Sequence, residues 1–119
     1  MDIFCKISNG EVLSRTIYED DLSKAILDVN PMHPGHILII PKKHFTDLSD
    51  IDTEAITSIM NNAKVCKKLL EDKLHPDSVV LMLNNGQAQE IKHLHLHVIP
   101  YYAQDPNLSI DKVYELLTG

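Results

Sequence analysis

The run His93-Leu94-His95-Leu96-His97-Val98-Ile99-Pro100 decides the reading of this chain. Histidine alternates with an aliphatic residue through this run, and alternation at period two marks a β-strand with one face in a core. Leu94, Leu96 and Val98 are expected on the core face, with His93, His95 and His97 in a row on the opposite face. Pro100 is expected to end the strand, because proline gives no hydrogen bond to a ladder. A strand rises about 3.3 Å per residue, which separates His93 from His97 by about 13 Å at the backbone. Two neighbouring imidazoles could share a zinc at bonds of about 2 Å, but all three can hardly close on one ion. Such a row suits another task better: one imidazole attacks as a nucleophile and the others give and take protons around the group attacked.

Working outward, the 119 residues suit one domain with a single hydrophobic core, spanning residues 1–119. A net charge of −6, from 11 basic and 17 acidic residues, argues against nonspecific binding to nucleic acid or an anionic membrane. Cys5 and Cys66 are far apart and form no C-x-x-C pair, so no disulfide framework is expected. The chain begins with no basic, apolar leader, and its longest apolar run in the upstream half is only Ile37 to Ile40. Neither a signal peptide nor a membrane span is expected, and the location expected is the cytoplasm.

Residues 2–10 read as a short helical turn ended by Asn9-Gly10, and 12–18 with 23–29 as a strand hairpin turning at Glu19-Asp20-Asp21. Ile37 to Ile40, opened by Pro34-Gly35-His36, is apolar throughout and reads as a strand buried on both faces. Residues 53–73 form the clearest helix. Ile56, Ile59, Met60, Ala63, Cys66 and Leu70 make its apolar stripe, Asp52 is its N-cap, and Asn61, Asn62 and Lys64 fall on its wet side. Cys66 in the stripe is expected to be an inert core thiol. Ser78 to Leu83 is a further strand, and Leu108-Ser109-Ile110 begins a short terminal helix with Ser109 as N-cap. Together these give an α+β fold with a mainly antiparallel sheet of about five strands, one long helix and a short C-terminal helix.

The pattern His-φ-His-φ-His-φ-φ at residues 93–99, with φ apolar, resembles the signature of the histidine triad (HIT) family at every position. Asn84-Asn85-Gly86 and Gln89-Glu90-Ile91 resemble its Asn-x-Gly and Gln-x-Val elements. Asp28-Val29-Asn30-Pro31 and Pro34-Gly35-His36-Ile37-Leu38-Ile39-Ile40-Pro41-Lys42-Lys43-His44 resemble another of its blocks. The likeness extends from Ile3-Phe4-Cys5-Lys6-Ile7 to Tyr101.

The resemblance implies a HIT-like fold and a hydrolase that releases a nucleoside 5′-monophosphate from an amine, acyl or phosphate leaving group through a nucleotidyl-histidine. It implies His95 as nucleophile, with His97, His93 and His36 supporting it. It implies substrate contacts from Asp28 (ribose hydroxyls), Asn84, Gln89 and Leu27. The substrate implied is a purine nucleotide and the assembly a homodimer. Lys42-Lys43-His44 resembles the phosphoramidase branch; Pro34-Gly35-His36 and the His97-Val98-Ile99-Pro100 ending also fit dinucleoside polyphosphate (Ap4A-type) hydrolases. A nucleotide- or metal-binding protein with little activity is the remaining alternative. No cofactor is required. Relatives often hold a structural zinc through Cys-x-x-Cys and two histidines; this chain has Asp2 in place of the first cysteine, which counts against the set Cys5, His44 and His93. The loop Gln87-Ala88 is also shorter than in relatives, and Glu90 brings a carboxylate where some of them have a hydroxyl.

Overall fold

A computed structural model of the chain describes residues 2–119. In chain order it has helix α1 (Ile3–Ser8), strands β1 (Thr16–Glu19), β2 (Ser23–Leu27) and β3 (Ile37–Pro41), helix α2 (Thr53–Leu74), strand β4 (Ser78–Leu83), a 3-10 turn (Gly86–Ala88), strand β5 (Leu96–Tyr101) and helix α3 (Ile110–Thr118). The five strands form one antiparallel sheet in the order β1-β2-β3-β5-β4. The α+β expectation therefore holds. No helix among the described residues is long and apolar enough to cross a membrane.

Period-two alternation divides the sheet into two faces. Ala25, Leu27, Ile37, Ile39, Leu96 and Val98 pack on one face against Ala55, Ile59, Ala63, Cys66, Leu70 and Leu74 of α2. Ile26, Leu38 and Ile40 meet Phe4 and Ile7 of α1 on the other. Every residue of β3 is buried, as its unbroken apolar run requires. The strand register lines up Ile26, Leu38, His97 and Met82 across four strands, and this row becomes the floor of the site.

Three boundaries differ from expectation. β1 and β2 are shorter at Thr16–Glu19 and Ser23–Leu27. β5 begins at Leu96, so His93 to His95 precede the strand, although Leu94 still joins the α2 side of the core. Pro100 does not end β5: it pairs with Val79 and the strand runs on to Tyr101. Pairing with β3 stops at Val98, so at Pro100 the sheet has become a two-stranded margin, where a missing donor is tolerated.

Helix α2 also differs on one face. Asp52 caps it as expected, accepting from the Ala55 N–H at 2.8 Å, and His75 closes it in the left-handed conformation (φ 53°) just before Pro76. Asn62, however, is fully buried and Met60 is exposed. The reason is a polar chain under the β1–β2 hairpin. Asp20 accepts from the Ser58 hydroxyl, Ser58 and Ser23 share a hydrogen bond at 2.7 Å, Asn62 donates to Ser23 at 3.4 Å, and Cys66 donates to Asn62. A buried amide with partners costs little, whereas hydrophobic pattern alone assigns it to solvent. Burial pushes the Cys66 thiol up to about 12, which fits its expected inertness.

The turn before β3 is clamped from two sides. Tyr102 donates its hydroxyl to the Pro34 carbonyl at 2.6 Å. Gly35 has φ +95°, and a Cβ there would meet Leu74 Cδ1 at 2.8 Å and Pro100 Cγ at 3.2 Å. Gly35→Ala combines left-handed strain with a clash, and should lower unfolding free energy by about 2 kcal/mol in denaturant melts.

Candidate active site

A cleft of about 1030 Å³ opens over the sheet face that carries α1. Its floor is the cross-strand row Ile26, Leu38, His97 and Met82, and its apolar wall includes Phe4, Ile7 and Val12. Asp28, His36, Asn84, Glu90 and His95 also line it. Asp28 and His36 arrive together because the β2–β3 ladder continues past Leu27 and Ile37, with the Asp28 N–H donating to the His36 carbonyl. Phe4 lies 4.9 Å from the His95 ring, centroid to centroid, and His95 lies 4.9 Å from His97.

Hydrogen bonds to main-chain groups assign the tautomers, because a carbonyl only accepts and an N–H only donates. His95 Nδ1 is 2.8 Å from the His93 carbonyl, so Nδ1 carries the proton and Nε2 keeps a lone pair. His36 Nδ1 accepts the Met32 N–H at 3.1 Å, so the His36 proton sits on Nε2. That Nε2–H donates to His97 Nδ1 at 2.9 Å, which leaves His97 with a proton on Nε2. The site thus holds one bare imidazole nitrogen on His95 and one N–H donor on its neighbour. Asp28 Oδ2 lies 3.6 Å from His36 Nε2, while Asp28 Oδ1 accepts the Asn30 N–H.

Burial favours the neutral form of His97 and His36. It pushes His97 down to about 4, with the positive potential of His95 and His36 acting in the same direction and Asp28 against it. Burial likewise holds His36 below the usual imidazole range against the pull of Asp28.

His93 does not line the cleft. Its fully buried ring donates from Nε2 to the Pro41 carbonyl at 3.1 Å, which turns the Nδ1 lone pair toward Asp2, Cys5 and His44. Cys5 Sγ lies 3.2 Å from His44 Nδ1 and 3.3 Å from His93 Nδ1. Asp2 oxygens lie 3.2 Å from each of the same two nitrogens. One ligand atom from each of the four residues lies within 4.8 Å of all the others, close to the separation of about 3.3–3.8 Å that four donors bonded tetrahedrally at about 2.0–2.3 Å would have. Asp2 takes the missing cysteine's place because it already caps α1, accepting from the Cys5 N–H at 2.7 Å. Burial and the nearby Asp2 raise the Cys5 thiol, a cost that a bound cation would remove. Asp28, His36 and His97 also lie close together, but the proton on His36 Nε2 leaves that nitrogen without a lone pair for a metal.

Of the other residues expected at the site, Asn84 and Leu27 line the cleft and Gln89 does not. Gln89 is buried, and its side-chain amide donates to the Thr46 carbonyl at 2.7 Å, tying the loop after β4 to the segment before α2. The sequence reading missed the ion pair between Arg15 and Asp111, which closes the cleft rim at 2.8 Å. Nothing local signals a contact between residues so distant in the chain.

This geometry has counterparts. Residues 9–104 match the HIT domain. The chain is 35% identical to a HIT-like protein of Methanocaldococcus jannaschii over the full length of both. A zinc-bound histidine triad family protein from Mycobacterium smegmatis superposes with a TM-score of 0.89 at 31% identity, covering 98% of this chain and 89% of its own. An adenylylsulfatase of Arabidopsis thaliana is 37% identical over 87% of this chain, which spans 53% of that protein. The sheet with its histidine-lined cleft is thus a histidine triad architecture. The chain belongs to the HIT family.

The depressed His97 and His36 values set a pH dependence. The unfolded chain takes up these protons near 6.5, the folded one only at lower pH, so stability falls as pH drops from about 6.5 toward 4. Melting temperature should decline across this window, and His97→Asn should flatten the decline.

Proposed function

We propose that this chain is a nucleotide hydrolase, active on nucleoside 5′-monophosphates joined through the α-phosphorus to an amine. The observation that carries the reading is the pair of opposite tautomers, a bare Nε2 on His95 beside an Nε2–H on His97. His95 Nε2 attacks the α-phosphorus of the zwitterionic phosphoramidate. The new N–P bond forms as the bond to the amine breaks, and the electron pair leaves on the amine nitrogen, which departs neutral. The phosphorylated imidazole carries a positive charge, and its Nδ1–H on the His93 carbonyl stabilises it. The His97 Nε2–H binds a phosphate oxygen as charge builds there. Water then attacks phosphorus, the N–P pair returns to Nε2, and one proton is released with the monophosphate.

The base is assigned to the apolar end of the cleft, between Phe4, Ile7, Ile26 and Leu38, where a purine has room. Asp28 accepts the ribose hydroxyls, Asn84 contacts the nucleotide, and His36 positions His97. His93 is a positioning residue, since its carbonyl orients the nucleophile. Gln89 acts indirectly, by holding the loop. An adenylylsulfate or dinucleoside polyphosphate substrate would use the same nucleophile with an anionic leaving group.

Zinc at Asp2, Cys5, His44 and His93 is proposed as a structural ion; the closeness of the four donors and the zinc-bound M. smegmatis relative support it. When bound it supplies a cross-link between α1 and the segment that carries the nucleophile. A homodimer is proposed through β4, an outer strand whose Val80, Leu81 and Met82 are exposed. Two free cysteines suit a reducing cytoplasm.

The test is release of AMP from adenosine 5′-phosphoramidate. Native protein should turn over, His95→Ala should lose on the order of 10³-fold or more, and Asp28→Asn should raise KM about tenfold. Dialysis against chelator should lower the melting temperature while turnover persists. Equal turnover by native protein and His95→Ala would refute the mechanism.

A further inference from the structure

The cleft crosses the sheet, and the register orders its two ends. On the β2 and β3 side it is apolar, with Ile26 and Leu38 under Phe4 and Ile7. His97 on β5 occupies the middle. Beyond it come Met82 on β4, then Asn84, Ala88 and Glu90 from the loop that joins β4 to β5. A nucleotide with its base on the apolar side and its phosphorus at His95 therefore sends its leaving group toward β4 and Glu90.

The charges of this cleft are unusual for a phosphate site. Among the described residues its charged lining side chains are Arg15, Asp28, Glu90 and Asp111, one cation and three carboxylates. The cation is committed, because Arg15 Nε and Nη2 both donate to Asp111 Oδ1, at 3.2 and 2.8 Å. Asp28 lies on the ribose side, its Oδ1 accepting the Asn30 N–H and its Oδ2 3.6 Å from His36 Nε2. Lys92, near Glu90 in the chain, donates to the Gly86 carbonyl and does not line the cleft. On the leaving-group side the fixed charge is that of Glu90, an exposed carboxylate.

We propose that Glu90 selects the leaving group: the cleft favours nucleotide adducts whose leaving amine carries a further ammonium, and disfavours polyphosphate leaving groups. This rests on the phosphoramidase reading above and narrows its substrate class. An ammonium entering from solvent lowers its energy beside the carboxylate, whereas each added phosphate brings a negative charge toward it. Because Glu90 is hydrated, the preference is modest, about fivefold, and falls with salt.

The experiment compares two ligands of matched shape, AMP joined through nitrogen to pentylamine and to diaminobutane, whose far nitrogen remains an ammonium. Affinities are measured on His95→Asn by calorimetry, and kcat/KM on the protein with His95 intact. The diaminobutane adduct should be favoured about fivefold in both readouts. Glu90→Gln should bring the ratio to about one, and about 0.5 M salt should shrink it. Glu90→Lys should reverse it. A ratio of one with Glu90 present, or a ratio that survives Glu90→Gln, would overturn the proposal. A binding ratio without His95-dependent turnover would leave selection standing and remove the hydrolase reading. Turnover with a ratio of one would do the opposite, and failure of both adducts to bind would remove both.

Discussion

The hydrogen bond from His95 Nδ1–H to the His93 carbonyl is the constraint on which the rest of the site depends. An imidazole has one lone pair when neutral, and this bond decides which nitrogen keeps it. The carbonyl can do so only if its own backbone is held still. Three contacts hold it: the Leu94 N–H donates to the Phe45 carbonyl at 2.7 Å, the His93 ring donates to the Pro41 carbonyl, and Nδ1 of that ring faces the Asp2, Cys5 and His44 cluster. The segment is thereby fastened to the end of β3, to α1 and to the loop that follows β3. Since it lies outside β5, these contacts replace the ladder bonds a strand would have supplied.

The second histidine pair is set by different elements with the same logic. Met32 fixes the His36 tautomer, and His36 fixes that of His97. His36 begins β3, and Gly35 before it sits against Leu74 and Pro100 at a spacing that admits no side chain. Core packing beneath α2 thus reaches the cleft through a glycine turn. The two relays share no residue, yet they deliver complementary nitrogens to adjacent rings. Burial lowers the affinity of His97 for protons and so preserves the arrangement at neutral pH.

Much of this was legible in the sequence. The alternation at 93–98 assigned faces correctly, since Leu94, Leu96 and Val98 join one core and His95 and His97 face the other side. It did not fix where hydrogen bonding begins, because periodicity reports side-chain direction and the ladder depends on a partner strand. Asn62 was placed on the wet side of α2 because pattern reading cannot see Ser23 and Ser58 waiting for an amide. The substitution of Asp2 for a cysteine looked like the loss of a ligand, yet its carboxylate caps α1 and stays beside both histidines. The family resemblance implies a substrate contact for Gln89, but its side chain is buried and bonded to the Thr46 carbonyl. Those outcomes turn on contacts distant in sequence, which composition and spacing do not encode.

A long-range proton–nitrogen correlation spectrum of protein carrying nitrogen-labelled histidine reads the pair of opposite tautomers directly near neutral pH. His95 should be protonated on Nδ1 with a bare Nε2, and His97 on Nε2 with Nδ1 accepting from His36. A His95 ring protonated on Nε2, or one that exchanges freely between the two forms, would contradict it.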